Sequence, residues 1–291
     1  MKGLGGEGLV LAGLDCVTDG LVRVAGGAAA YWCAPKPAGQ ISEDALLALP
    51  LGPDRAVLAI ADGMGGMPGG GAAAARAVEA LAAAVEDGLA NDMPLRTAIL
   101  NGIERANESV LAMGTGAATT LAVAELAGQT ARAYNVGDSE VMVIGQRGRL
   151  KLRTLSHSPV GFALEAGLVD HEQALHHEDR HLVSNFVGSR DMRIEVGSAV
   201  ALGPLDTVLV CSDGLVDNLR LVEIAAIMRC GPLDERLRSL ANAAFARMTA
   251  DGTAPDGQPS RPDDLSLIAF RQHPGGAVTA RLPLPIQMAL S

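Results

Sequence analysis

The apolar positions of this chain change period several times. Residues 55–61 form a nearly continuous apolar run, too short for a typical helix, and are predicted to be a buried strand ending at Asp62. After a glycine-rich stretch, residues 72–89 are strong helix formers with Val78, Leu81, Val85 and Leu89 at helical spacing, which predicts an amphipathic helix. A second helix is predicted over 95–113, opened by Pro94 and stopped by Gly114. The period then shortens. Residues 119–125 and 130–136 read as a hairpin around Ala127-Gly128-Gln129, and residues 141–144, 208–211 and 265–270 read as further short strands. Residues 9–32 read as one or two strands with turns, and helices are predicted over 217–229 and 233–249. The polar, histidine-rich segment 156–190 looks like an excursion from the core. Strands interleave with paired helices without regular β-α-β alternation, so the expected class is α+β.

Composition narrows the function classes. The 291 residues suffice for one large domain or two small ones, and 48% hydrophobic with 19% charged residues excludes intrinsic disorder. A net charge of -10 with 2% aromatics gives neither the basic footprint nor the stacking surface of a nucleic-acid binder, and it disfavours an anionic membrane. No apolar run approaches the roughly 20 residues of a membrane span, and the apolar stretch 9–14 is too brief for a secretory signal. Cys16, Cys33, Cys211 and Cys230 form no C-x-x-C pair and no zinc spacing, which favours free thiols and a cytoplasmic location.

Several aspartates share one kind of position. Asp62 and Asp213 each end a buried apolar run and are followed by glycine, Asp138 follows residues 134–137, and Asp263 precedes the last strand. Asp217 lies four residues after Asp213, on the same face if a helix begins there. If these strand ends lie side by side, their carboxylates repel one another and need cations. Oxygen-only ligation selects hard divalent ions such as Mg²⁺ or Mn²⁺ over zinc. The stretch Asp62-Gly63-Met64-Gly65-Gly66-Met67-Pro68-Gly69 lacks the G-K-[ST] ending of a nucleotide loop, so its glycines are read as bringing backbone close to a metal. No G-x-S-x-G elbow and no D-x-D pair occurs, which sets aside serine hydrolases and aspartyl-nucleophile phosphatases. The histidines at 171, 176, 177 and 181 lack a fixed third ligand and read as a solvated segment rather than a zinc site.

Five motifs in order carry a family resemblance: Asp62-Gly63-Met64-Gly65-Gly66, Gly116-Ala117-Ala118-Thr119-Thr120-Leu121, Asn135-Val136-Gly137-Asp138-Ser139, Ser212-Asp213-Gly214-Leu215 with Asp217, and Asp263-Asp264-Leu265-Ser266. Together they resemble the type-2C metal-dependent serine/threonine protein phosphatases, bacterial type, over residues 39–271. The segments at 164–167 and 186–189 resemble the flap of bacterial members. The resemblance implies a four-layer αββα sandwich, two antiparallel sheets flanked by helices, in one domain over 1–291. The flap then spans about 156–190, and 1–35 and 273–291 fall outside as extensions.

The resemblance also implies roles. Asp62 would bridge two Mn²⁺ or Mg²⁺ ions with the Gly63 carbonyl on one, Asp213 and Asp263 would hold the other, and Glu43 and Asp44 would act through bound water. Asp138 and Asp217 match a third, weaker ion site. The implied reaction is hydrolysis of phosphoserine and phosphothreonine in proteins by a metal-bridging hydroxide, in a system with a cognate kinase. A catalytically weak phosphoprotein-binding module on the same fold and a hydrolase of small phosphate esters remain alternatives. Three departures stand out: Gly39 where members carry a phosphate-gripping arginine, with Lys36 or Arg23 as substitutes; Met64 where many carry a histidine; and Glu140 where an arginine usually follows Gly-Asp-Ser.

Overall fold

The computed structural model describes residues 8–37, 41–64, 69–170, 173–174, 176–249 and 260–272. Two antiparallel sheets pack face to face. One contains β1 (Leu9–Ala12), β4 (Asp44–Pro50), β5 (Arg55–Asp62), β6 (Leu121–Ala127) and β7 (Thr130–Val136), in the order β1-β4-β5-β6-β7, with the two-residue strands β10 (Glu195–Val196) and β11 (Val200–Ala201) on the outer edge of β7. The other runs β2 (Thr18–Val24), β3 (Gly27–Ala34), β13 (Leu265–Gln272), β12 (Thr207–Cys211), β8 (Glu140–Ile144) and β9 (Leu150–Arg153).

Helices cover both outer faces. α1 (Gly70–Ala90) and α2 (Leu95–Leu111) lie on the first sheet; α4 (Asp213–Val216), α5 (Leu221–Met228) and α6 (Leu233–Met248) lie on the second. A further helix, α3 (Pro159–Glu165), belongs to the segment 156–190.

The alternation of side chains along each strand explains the unbroken apolar runs. In β5, Val57, Ala59 and Ala61 pack under α1 and α2, while Ala56, Leu58 and Ile60 face the second sheet. In β12, Val208 and Val210 face between the sheets and Leu209 and Cys211 face α5 and α6. A strand buried on both faces has no polar side to show, so its period-2 signature disappears from the sequence. Small residues let α1 and α2 approach closely: a Cβ on Gly102 would stand 2.8 Å from Leu81 Cδ1, and one on Gly88 2.9 Å from Ala98 Cβ.

Three readings of the sequence change. Residues 1–35 were set apart as an extension, yet from Leu9 onward they supply β1, β2 and β3, and β3 is buried between β2 and β13 along its whole length. Strand β4 went unread because it is buried on both faces, so its Leu-rich run shows no alternation of polar and apolar residues. The helix expected over 217–229 is two helices: Asp217 caps α4, and the chain resumes helix only at Leu221, where Glu223 accepts the Arg220 N–H. Among the described residues no helix is long and apolar enough to cross a membrane, and the four cysteines are free. Gly39, the stretch 65–68, His171 and residues 273–291 lie outside the described residues.

Candidate functional site

Antiparallel pairing gathers the aspartates at one end of the sandwich. Asp44 opens β4 directly opposite Asp62, which closes β5. In the second sheet β13 begins where β12 ends: Cys211 pairs with Leu267, and the Ser212 N–H donates to the Ser266 carbonyl at 3.1 Å. Asp213 therefore emerges beside Asp263 and Asp264. Asp138 lies in the short link that leaves β7 in one sheet and enters β8 in the other. Asp217 follows one helical turn after Asp213, its N–H donating to the Asp213 carbonyl at 2.8 Å.

Hydrogen bonds fix the backbone under these acids. The Asp62 N–H donates to Thr120 Oγ1 at 3.0 Å, Thr120 Oγ1 shares a 2.6 Å bond with Ser139 Oγ, and the Asp62 carbonyl accepts from the Thr120 N–H and from Thr119 Oγ1. Asp264 has a similar task. Its two oxygens accept the Lys36 and Glu43 N–H groups at 2.8 and 2.7 Å, which pins the chain entering β4 to the start of β13. Gly63 must be glycine, because a Cβ there would lie 2.4 Å from Gly70 C and 2.7 Å from the Glu43 carbonyl oxygen. The Glu43 carboxylate reaches Gly70 at the N-terminus of α1, where the helix dipole favours negative charge.

His157, to which the sequence assigned no role, supports Asp138 from behind. Its Nδ1 accepts the Gly137 N–H at 3.1 Å and an Asn185 side-chain N–H at 2.8 Å, so its proton sits on Nε2 and faces Glu195 at 2.9 Å. Gly137 itself has φ +113°, and a Cβ there would strike the Thr120 side chain at 2.6 Å. One buried ring thus holds the turn before Asp138 and the start of the 156–190 segment. That segment is tied again at its far end by the bridge between Thr119 and Val187 and by Asn107 Oδ1 accepting the Gly188 N–H.

The electrostatics are those of like charges crowded out of water. Burial, then the charge of Asp264, pushes Asp44 up to about 7; the Ser266 and Ser212 hydroxyls ease this only in part, and neither Asp44 oxygen has a partner at hydrogen-bond geometry. Burial, then Asp217, pushes Asp138 up to about 7. Asp62 and Asp213 are raised well above the usual carboxylate range by burial first, then by Asp44 and Asp263 respectively. Burial also raises Asp263, against the pull of Lys36 and Arg261. Asp213 Oδ1 is a further buried oxygen without a partner.

These acids are neighbours rather than a closed coordination shell, since among the described residues no three such side chains stand close enough to hold an ion as placed. The donor set nonetheless fits hard divalent ions: all oxygen, largely buried, and with three buried oxygens unpartnered.

The structure separates the two cations offered in place of an arginine at position 39. Arg23 pairs with Ala28, six residues along β3 from Ala34, which puts it roughly 20 Å from the acidic end at the usual strand rise. Lys36 follows Ala34, is anchored through Asp264, and lowers the Asp263 carboxyl. Sequence reasoning missed a third cation, Arg261. Asn218 clamps its backbone on both sides, and its Nη1 donates to Asp217 at 2.7 Å. Its only sequence signal is its place two residues before Asp263.

Glu140 also finds a partner. It is buried and meets Arg153 through two hydrogen bonds of 2.6 and 2.7 Å, so the charge expected at position 140 is supplied from β9 instead.

The geometry agrees with known proteins. The family model described as Protein phosphatase 2C matches residues 36–252, more than half of the chain. The Serine/threonine phosphatase stp of Listeria welshimeri is 29% identical over 182 residues, 60% of this chain and 71% of that protein. The crystal structure of Serine/threonine phosphatase Stp1 from Staphylococcus aureus superposes with a TM-score of 0.70 at 21% identity, over 84% of this chain and 94% of that one. The catalytic domain of serine threonine protein phosphatase PstP, crystallised in complex with two manganese ions, superposes with a TM-score of 0.65 at 21% identity, over 87% and 99%. With that family match over more than half of its length, on the same αββα sandwich, this chain belongs to the protein phosphatase 2C family.

Proposed function

We propose that the acidic end of the sandwich hydrolyses phosphoserine and phosphothreonine in proteins with the help of two Mn²⁺ or Mg²⁺ ions. One observation supports this above all others: Asp44 and Asp213 bury carboxylate oxygens that have no partner, beside further acids that raise their affinity for protons. In this reading Asp62, the Gly63 carbonyl, Asp213 and Asp263 hold the two ions, Glu43 and Asp44 act through water, and Asp138 and Asp217 offer a third, weaker site. When bound, such ions neutralise phosphate charge and lower the pKa of water toward neutrality.

The chain's own residues hold the geometry and bind substrate. Thr120 and Ser139 fix Asp62, Asp264 fixes Glu43, and His157 fixes the Gly137 turn. Lys36, whose charge acts on Asp263, would take a phosphoryl oxygen, the task that Gly39 cannot perform. No side chain is needed as nucleophile. The printed names of the Listeria and Staphylococcus relatives support the substrate class. A kinase that installs the phosphate is the implied counterpart, and four free thiols support a cytoplasmic setting. Residues 1–291 are read as one phosphatase domain.

The test is turnover of a phosphothreonine peptide and of p-nitrophenyl phosphate with and without Mn²⁺. Metal-dependent release of phosphate from the peptide is expected. Failure with both substrates would favour a binding module, and turnover of the small ester alone a small-ester hydrolase.

A further inference from the structure

Beside the carboxylates lies a cleft of about 660 Å³ that shares Asp138, Asp213 and Asp217 with the proposed ion site. The Glu140–Arg153 pair lies along it. Arg153 has five N–H donors, and its two bonds to Glu140 use Nε and one Nη2 hydrogen, so three remain without a partner among the described residues. The Arg153 side chain is 24% exposed and lines the cleft, while its partner Glu140 is 1% exposed and holds the guanidinium in one orientation. Apolar side chains line it as well. Val160 and Leu164 come from α3, and Val222, 72% exposed, comes from the first turn of α5. Val222 and the half-buried Leu164 together give the cleft an apolar edge next to the acids.

We propose that this cleft seats the polypeptide flanking the phosphorylated residue, the free edge of Arg153 donating to substrate main-chain carbonyls and Val222 and Leu164 packing an aliphatic substrate side chain. The proposal rests on the phosphoprotein reading above. Continuity with the carboxylates places the cleft where the chain on one side of a bound phosphoresidue must run. Carbonyls rather than acids are the partners of Arg153, because Glu140 already neutralises its charge and the cleft's acids, Asp138, Glu165, Glu195, Asp213 and Asp217, outnumber its one other cation, Arg220. Acidic flanks are correspondingly the poorer ligands.

Two variants test this. Val222→Glu alters an exposed side chain and leaves the core alone; Glu140→Gln with Arg153→Gln removes the free edge without stranding a buried charge. Each is compared with the unaltered protein on an aliphatic-flanked phosphothreonine peptide and on p-nitrophenyl phosphate. Each is also titrated, with Mn²⁺ present, against a fluorescent peptide carrying a non-hydrolysable phosphonate. The ratio of kcat/KM for peptide to that for ester is expected to fall about fivefold in Val222→Glu and about tenfold in the double variant, with matching rises in Kd for the phosphonate peptide. An unchanged ratio with an unchanged Kd, or no binding of the phosphonate peptide by the unaltered protein, overturns the proposal. If the unaltered protein turns over neither substrate, the hydrolase reading fails, and the phosphonate titration still decides the cleft.

Discussion

Two groups of carboxylates share one end of this molecule and are treated differently by the chain. Asp44 is buried and Asp62 and Asp213 are half-buried, with no lysine or arginine against them among the described residues, and their proton affinities climb. Asp217, a few residues away, meets Arg261 at 2.7 Å, and Asp263 feels both Lys36 and Arg261. Where the protein supplies its own cation the charge is balanced in part within the fold, although burial still raises Asp263. Where it supplies none, the acid is a standing demand for a cation from solution. The contrast predicts which positions respond most to metal and to mutation.

The sharpest way to break the comparison is Asp62→Asn, which removes the acid proposed to bridge both ions. Turnover is expected to fall by roughly a thousandfold or more, several kcal/mol of lost transition-state stabilisation, with the circular dichroism spectrum unchanged. Wild-type rates in that variant would remove the inner group from the chemistry.

Stability against pH comes next. A carboxyl raised in the folded state keeps its proton between its ordinary pKa and the folded value, a range in which the unfolded chain has lost it. The folded state then binds more protons, so stability falls as pH rises through that window. For Asp44 and Asp138 the window runs from 3.8 to about 7. In metal-free protein, melting temperature compared between pH 4.5 and 7.5 should therefore fall more steeply in the wild type than in Asp44→Asn. Millimolar Mn²⁺ should restore it at pH 7.5 and do little at pH 4.5, where protons compete. Identical slopes in the two proteins would contradict the burial argument.

Smaller effects test the cations. Lys36→Ala is expected to raise KM for p-nitrophenyl phosphate about tenfold, and Lys36→Arg to restore most of it, as a charge-assisted contact to phosphate would. Equal KM values in all three proteins would leave Lys36 with only its backbone role. Arg261→Gln frees Asp217, so it is expected to tighten a weak third Mn²⁺ site by about two- to fivefold in a calorimetric titration, the range set by one partly exposed ion pair. Weaker metal binding would show that Arg261 orders that site instead of competing for it.

The sequence revealed more of the site than of the fold around it. Asp62, Asp138, Asp213 and Asp263 were legible because each interrupts or borders an apolar run, and a charge at a strand end is a local signal. Strand β4 was not, since its register with β5 depends on a pairing that only the folded chain displays. The Asn218–Arg261 clamp joins residues 43 apart, and the Asp264 bonds to Lys36 and Glu43 span 228 and 221 residues. No window on the sequence contains both ends of such contacts. The role of His157 was not legible, because it lies in the backbone N–H that the ring accepts, which a side-chain pattern does not encode. The break between α4 and α5 escaped notice because Leu219 and Leu221 continue the apolar pattern across it.

The link that carries Asp138 from β7 to β8 crosses from one layer of the sandwich to the other. Sliding of the two layers past each other would therefore first be registered as altered spacing among the acids, before any strand came apart. Ions gripped from both sides would act as a rivet through the molecule, so that chelation should loosen the packing between layers along with silencing the chemistry.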